Sequence, residues 1–286
     1  MYLTIYGIST VKFNNLISEK ISERDKNLEL NLNEIKIFLN INNFNFELKT
    51  NDPKVFFKKK EIKIKSISTN LPLQNLFSKK INLEEIKIVT HKNKVKNLIE
   101  TIRAYKNNPQ LFILNQIVKD GFIEIESKIN FNEDGTIKSN YLVDGNISNL
   151  KLELLNDNIV ENINFSFLIR EKDYLIYNLS SVYQSINIKS NKIKILNNQD
   201  SYNFEGDISN LKGKIDLIKF SAFLNKNMSG IVKKGLVISS NNKFSFKLNK
   251  KIKFSDIIIQ SKISLEELKY SNDLFKRFFP GYKKNV

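Results

Sequence analysis

Ile35-Lys36-Ile37-Phe38-Leu39, followed by Phe44-Asn45-Phe46-Glu47-Leu48, decides the fold of this chain. Apolar and polar residues alternate with a period of two, and successive side chains on a strand point to opposite faces. Each stretch is therefore a ribbon with one apolar side and one wet side. The same beat returns in Ile62-Lys63-Ile64, Ile86-Lys87-Ile88, Ile123-Glu124-Ile125 and Ile163-Asn164-Phe165-Ser166-Phe167. It continues in Ile186-Asn187-Ile188, Ile193-Lys194-Ile195 and Phe244-Ser245-Phe246-Lys247-Leu248. Repeated from end to end, it predicts one long sheet with a continuous apolar face, which meets either another sheet or a ligand.

Composition agrees. The 286 residues are 41% hydrophobic with two Met and no Trp, so Ile and Phe carry most of the apolar load. Both fit a pleated, half-buried surface. Nine Gly and four Pro are few, and neither a GxGxxG nor a GxxxxGK[ST] phosphate loop is present. The absence of Cys excludes disulfides and thiolate metal sites. The net charge of +16 comes almost wholly from Lys. Most of these lysines occupy outward strand positions, which favours solvated faces over a polyanion partner. Arg is confined to Arg24, Arg103, Arg170 and Arg277, and the Phe residues sit at inward positions, so no nucleic-acid partner is expected.

Three helices are expected among the strands. Val11 to Asp25 is amphipathic through Phe13, Leu16, Ile17 and Ile21, and Lys94 to Asn107 through Val95, Leu98, Ile99, Ile102 and Tyr105. Gln110 to Lys119 follows it. One or two helical turns are expected at Leu71 to Phe77, with Pro72 near their start. A closing helix is expected from Ser264 to Phe279, with Ser264 as N-cap and Glu267 as its capping-box partner. Asn132-Glu133-Asp134-Gly135 marks a hairpin turn, and Asp144-Gly145 a bulge or strand end. Residues 1–8 are apolar without the features of a signal peptide. They read as the last turns of a membrane helix or as an ordinary first strand. No stretch approaches the about 18 apolar residues that span a bilayer.

Catalytic chemistry finds little support. His91 is the only histidine, which leaves no second imidazole for zinc. Glu124 and Glu126 share the outer face of a strand and read as ordinary strand charges beside Lys128 rather than as a paired-carboxylate site. The serines lack a GxSxG setting. The expectation is a protein that is not an enzyme and needs no cofactor or metal.

Several segments carry a family likeness: Gly7-Ile8-Ser9-Thr10-Val11-Lys12-Phe13, Val95 to Ala104, Asn108-Pro109-Gln110-Leu111-Phe112, Asp120-Gly121-Phe122-Ile123, and the turn at Asn132 to Gly135. Together they resemble the N-terminal region of the AsmA-like envelope proteins, relatives of TamB and YhdP, over residues 1 to about 155. The resemblance implies a mainly β fold with a few short helices, drawn out as an elongated, curved antiparallel sheet that forms a hydrophobic groove. It implies a periplasmic location at the inner membrane, through an N-terminal helix of which this chain lacks most, and phospholipid as the ligand conducted along the groove. It supplies no catalytic residue. The matching organisation is an apolar start and amphipathic helix over 1–25, an AsmA-like β/α region over 26–155, and a continuing β-groove segment with a C-terminal helix over 156–286.

The groove-lining set is the apolar side of the ribbons. It comprises Ile35, Ile37, Leu39, Phe44, Phe46, Leu48, Ile62, Ile64, Ile86 and Ile88, then Ile123, Ile125, Ile163, Phe165, Phe167, Ile186, Ile188, Ile193, Ile195, Phe244 and Phe246. Whether that face is open or capped by the helices is left undecided by the residues. The competing expectation is a closed-core β-rich binding or scaffold module in the periplasm. An edge strand exposed at either end invites a further β-chain that completes the sheet.

Overall fold

Alternation becomes strands along almost the whole of a computed structural model of the chain. The structure describes residues 2–41, 44–72, 85–106, 108–132, 136–154, 158–198, 200–215, 232–234, 236–266 and 269–270. Two compact units divide it: Met1–Glu153 with Asn164–Leu175, and Leu154–Ile163 with Ile176–Val286.

The first unit opens with one helical turn, α1 (Tyr2–Ile5), and a short strand, β1 (Ile8–Thr10). The apolar start therefore holds both a helical turn and a first strand. Helix α2 (Asn14–Arg24) is shorter than the amphipathic pattern at both ends. Six strands follow: β2 (Leu28–Asn31), β3 (Ile35–Asn40), β4 (Asn45–Asn51), β5 (Lys54–Phe57), β6 (Lys60–Pro72) and β7 (Glu85–Thr90). The two-residue strand β8 (Asn93–Lys94) leads into α3 (Val95–Tyr105), and Asn108 starts α4 (Pro109–Ile117). The Asn108 side chain accepts the Leu111 N–H at 2.8 Å, and Pro109 occupies the first turn, where its missing N–H costs nothing. Strands β9 (Val118–Asn130) and β10 (Leu142–Glu153) complete the run before β11 (Ile159–Arg170) and β12 (Asp173–Tyr183). Those two strands divide their residues between the units.

The second unit continues with β13 (Ile186–Asn197), β14 (Ser201–Ile215), β15 (Val232–Lys234), β16 (Leu236–Asn249), β17 (Phe254–Glu266) and β18 (Lys269–Tyr270). Sixteen strands belong to one sheet, ordered β1-β3-β4-β6-β7-β9-β10-β11-β12-β13-β14-β16-β17, with β2 on β5, β5 on β6 and β8 on β9. The protein is mainly β with a few short helices, and its large antiparallel sheet does not close on itself among the described residues.

Local patterns misled in four places. Leu71 and Pro72 end β6 as strand, opposite Phe46 and Asn45, because an edge of β4 was available to them. Residues 73–77 of the expected helical turns lie outside the described residues. Ser264 to Glu266 are strand opposite Ser239, Ile238 and Val237, which overturns the N-cap at Ser264 and the start of the closing helix. Lys269–Tyr270 is also strand, on β15, and the remainder of that expected helix lies outside the described residues. Phe44 precedes β4 in a turn with φ of 47°. Asp144-Gly145 is neither bulge nor strand end but an in-register part of β10, opposite Glu126 and Ile125.

Helices cover one corner of the first unit. Helix α2 packs on β2, and α3 on β6, β8 and β9. Leu30, Phe57, Ile64, Val95 and Ile99 are buried, and the Phe57 and Tyr105 rings meet edge-on with centroids 6.0 Å apart. Asn93 stitches this corner: its Oδ1 accepts the Lys63 N–H at 2.9 Å, while its Nδ2 donates to the Lys63 and His91 carbonyls at 3.0 and 2.8 Å. A buried amide is tolerated there because its polar atoms are paired.

Candidate functional site

Strand register assembles the apolar side chains into rows. In the first unit one row runs Ile8–Ile37–Leu48–Thr69–Ile86–Ile129 across β1, β3, β4, β6, β7 and β9. The neighbouring row is Thr10–Ile35–Thr50–Ile67–Ile88–Ser127–Val143. Leu39, Phe46 and Leu71 form a third, and Ile123 faces Ile147 across β9 and β10. Ile125 stands opposite Gly145, whose missing side chain leaves room for Phe167: a Cβ there would lie 2.5 Å from the ring's Cζ. Phe165 and Phe167 sit with ring centroids 6.4 Å apart.

The degree of burial is the informative property of this face. Ile35 and Thr50 are buried. Ile37, Leu39, Phe46, Leu48, Ile67, Leu71, Ile86, Ile88, Ile125, Ile129, Val143, Ile147, Phe165 and Phe167 are only half-buried. Cross-strand neighbours shield their flanks, as expected for side chains standing about 5 Å apart on a sheet. A second layer would bury them further, and α2 and α3 supply one at the helical corner of the first unit.

The opposite face is charged. Its register row reads Ser9–Lys36–Lys49–Ser68–Lys87–Lys128. Lysines standing directly opposite one another repel, and diagonal carboxylates offset this: Glu126 meets Lys87 at 2.6 Å and Glu85 meets Lys128 at 2.6 Å. Glu124 and Glu126 thus share this outer face, and Glu126 is engaged by a lysine. His91 is exposed, with its Nε2 2.7 Å from the Asp52 carboxylate. Among the described residues no group of three acidic or histidine side chains could hold a metal ion.

In the second unit the rows are Ile195–Phe204–Phe246 and Ile193–Gly206–Phe244–Ile259, flanked by Asn197–Tyr202–Leu248–Phe254. Phe204 and Phe246 stack with centroids 4.6 Å apart, and Phe246 lies 5.8 Å from Phe244 and 5.4 Å from Phe254. Phe204, Phe244 and Phe246 are half-buried and Phe254 is exposed. The face then turns polar in the row Ile188–Asn210–Ser240–Ile263 and beside it at Asn242. Ser240 Oγ donates to Asn210 Oδ1 at 2.5 Å, while the Asn242 amide donates to Ser240 Oγ and the Ile208 carbonyl at 2.9 and 3.1 Å. The apolar face is therefore interrupted here, contrary to the continuous face that the alternation predicts. The inserted groups satisfy one another and so make little demand on water.

The predicted residues fall into three sets. Most lie on the half-buried rows. Ile35 and Ile64 are buried in the first unit and Ile163 in the second, which removes them from an accessible face. Ile62, opposite Val55, belongs to the β2–β5–β6 corner, and Phe44 in its turn is 70% exposed and off the strand rows. Ile186 flanks Gly213. Ile67, Leu71, Ile129, Val143, Ile147, Tyr202, Phe204, Leu248 and Ile259 complete the face but stand outside the predicted set. Leu248 continues the beat of Phe244 and Phe246, whereas other strands alternate less strictly, and Thr69, Ser127 and Gly206 hide the beat that register restores.

No protein-family model, curated protein or solved structure matches this chain.

Proposed function

We propose that this is a non-enzymatic envelope protein that holds phospholipid acyl chains along the apolar strand face, in the manner the AsmA-like resemblance implies, and conducts them between membranes or supports outer-membrane homeostasis. The observation that carries the reading is the half-burial of that face in each unit. Side chains such as Ile125, Phe165, Phe204 and Phe246 stay only half-buried beside their strand neighbours. Exposing a sixteen-carbon chain to water costs on the order of 12 kcal/mol at about 0.8 kcal/mol per CH₂. Contact with Ile, Leu, Val and Phe removes much of that cost without gripping one lipid. The charged opposite face keeps such a sheet in solution. The sheet would act as a hydrophobic groove in the periplasm at the inner membrane.

A further β-chain is a natural partner at β17. Among the described residues this strand pairs only with β16, and Phe254, Ile257, Ile258, Ile259 and Ile263 are all exposed. Strand addition would satisfy the free backbone edge and cover part of this apolar surface.

Lipid extraction and mass spectrometry of the purified chain test the reading, with Ile125→Asp and Phe165→Asp alongside. Phospholipid that co-purifies with the native chain and is lost from both variants supports it. A lipid-free native chain, with variants that merely unfold, makes the face an ordinary core and sinks the proposal.

A further inference from the structure

Helix α4 reads Pro-Gln-Leu-Phe-Ile-Leu-Asn-Gln-Ile from Pro109 to Ile117 and carries no charge. A helix apolar around most of its circumference belongs in a core or in a membrane. Yet none of its side chains is buried. Phe112, Ile113 and Leu114 are exposed by 50%, 44% and 41%. Being consecutive, they fan over roughly 200° of the helix, at 3.6 residues per turn. The adjoining end of α3 adds Ile102 and Tyr105, exposed by 50% and 73%. A contiguous exposed patch of this kind marks an interaction site.

The charge around the patch identifies the partner. The Arg103 guanidinium lies over the Phe112 ring, 5.1 Å from its centroid. Lys106 caps the end of α3, and Lys58 Nζ donates to the Ala104 carbonyl at 2.6 Å. Between Lys94 and Lys119 the only acidic residue is Glu100, which is ion-paired with Lys60. An apolar patch fringed by cations and short of carboxylates complements the boundary between acyl chains and anionic headgroups.

We propose that α4 and the C-terminal end of α3 form a docking surface for a bilayer containing anionic phospholipid. Phe112, Ile113 and Leu114 enter the acyl boundary, while Arg103, Lys106 and Lys58 meet headgroup phosphates. No residue is shared with the strand face, so docking and acyl-chain loading can fail independently.

The chain has no Trp, which makes Phe112→Trp a single fluorescent reporter on the proposed surface. Vesicles of phosphatidylcholine with phosphatidylglycerol should shift its emission to the blue, and brominated acyl chains should quench it; phosphatidylcholine alone should do neither. Replacing Phe112, Ile113 and Leu114 together by Ser leaves the charge unchanged and should lower vesicle partitioning roughly ten-fold or more, because three apolar side chains no longer leave water. Absence of vesicle binding overturns the proposal. So does binding with unchanged indole emission, or binding that the triple variant retains, since either means diffuse attraction to the cationic chain. A blue shift that grows with protein concentration without vesicles assigns the patch to a second copy and overturns it as well.

Discussion

Ile188 and Ile193 are five residues apart on β13 and yet lie on the same face of the sheet. In a regular strand an odd separation puts two side chains on opposite faces. Here Ile188 faces Asn210 and Ile193 faces Gly206, four residues apart on β14, so β13 holds one extra residue between Lys189 and Ile193. The Asp207 carboxylate supports this bulge by accepting the N–H groups of Asn191 and Lys192 at 3.1 and 3.2 Å. The bulge keeps two apolar stretches of opposite phase in one face.

Deleting Asn191 should therefore leave the two stretches in phase, because Ile188 and Ile193 then stand four residues apart, matching Asn210 and Gly206 on β14. A one-residue slip exchanges every side chain between faces, so deleting Lys194, where β13 pairs regularly and Ile193 and Ile195 share a face, should destabilise the second unit far more than deleting Asn191. Asp207→Ala should cost roughly 1–2 kcal/mol through the lost charge-assisted hydrogen bonds. Urea unfolding of the three variants checks the order; two deletions of equal cost would contradict the bulge.

Gly145 is held by a close approach rather than by its backbone angles. A Cβ would stand 2.5 Å from Phe167 Cζ and 2.6 Å from the Glu124 carbonyl. Gly145→Ala should destabilise by about 1–3 kcal/mol through overpacking. The penalty should shrink, without vanishing, when Phe167→Ala is added, because the ring can leave and the carbonyl cannot. Thermal melts of the four proteins in a double-mutant cycle measure that coupling.

Phe246 touches three rings, so Phe246→Ala should cost more than removal of any one partner. The expected loss is on the order of 2 kcal/mol, combining half the burial of a phenyl ring with two or three ring pairs. Phe254→Ala, at the exposed end of the row, should cost less than about 1 kcal/mol. Equal losses in chemical unfolding would contradict the stack. The same two variants should retain less co-purified lipid, Phe246→Ala the less of the two.

Lys60 hydrogen-bonds Glu100 and holds its carboxyl below the usual carboxylate range, against a smaller opposing effect of burial. A depressed folded-state value means the pair stabilises the fold above the ordinary carboxylate pKa. That contribution fades as pH falls through the folded value. Glu100→Gln should therefore melt lower than the native chain at pH 7, and the two should converge in acid below the ordinary carboxylate range. A gap that persists there would mean the variant acts through packing. Both side chains are substantially exposed, so the effect is small.

Much of the strand face was legible because alternation is a local property. Ile35 to Leu39, Ile86 to Ile88 and Phe244 to Leu248 needed only the period of two, and α3 only the spacing of Val95, Leu98, Ile99 and Ile102. Phe204 and Ile147 escaped because Gly206 and Gly145 stand where the beat calls for an apolar residue, and each glycine is explained only by the neighbour that crowds it. Ser264 escaped for the converse reason: a good capping pattern lost to the open edge of β16, which offered a full ladder of backbone hydrogen bonds.

By itself, the sequence determined that this chain is a mainly β protein with one apolar and one charged side to its strands, because side-chain direction along a strand follows from covalent geometry. It also determined the helical segments of the first unit, where apolar spacing and the Asn108-Pro109 start suffice. Only the tertiary structure decided which strands became neighbours, where a bulge brought Ile193 back into phase with Ile188, and where Asn210, Ser240 and Asn242 interrupt the apolar face. It alone decided that helices bury the corner around Phe57 and Ile99 and leave the adjoining rows half-buried. Those outcomes depend on contacts between residues distant in sequence, whose energies no local pattern contains.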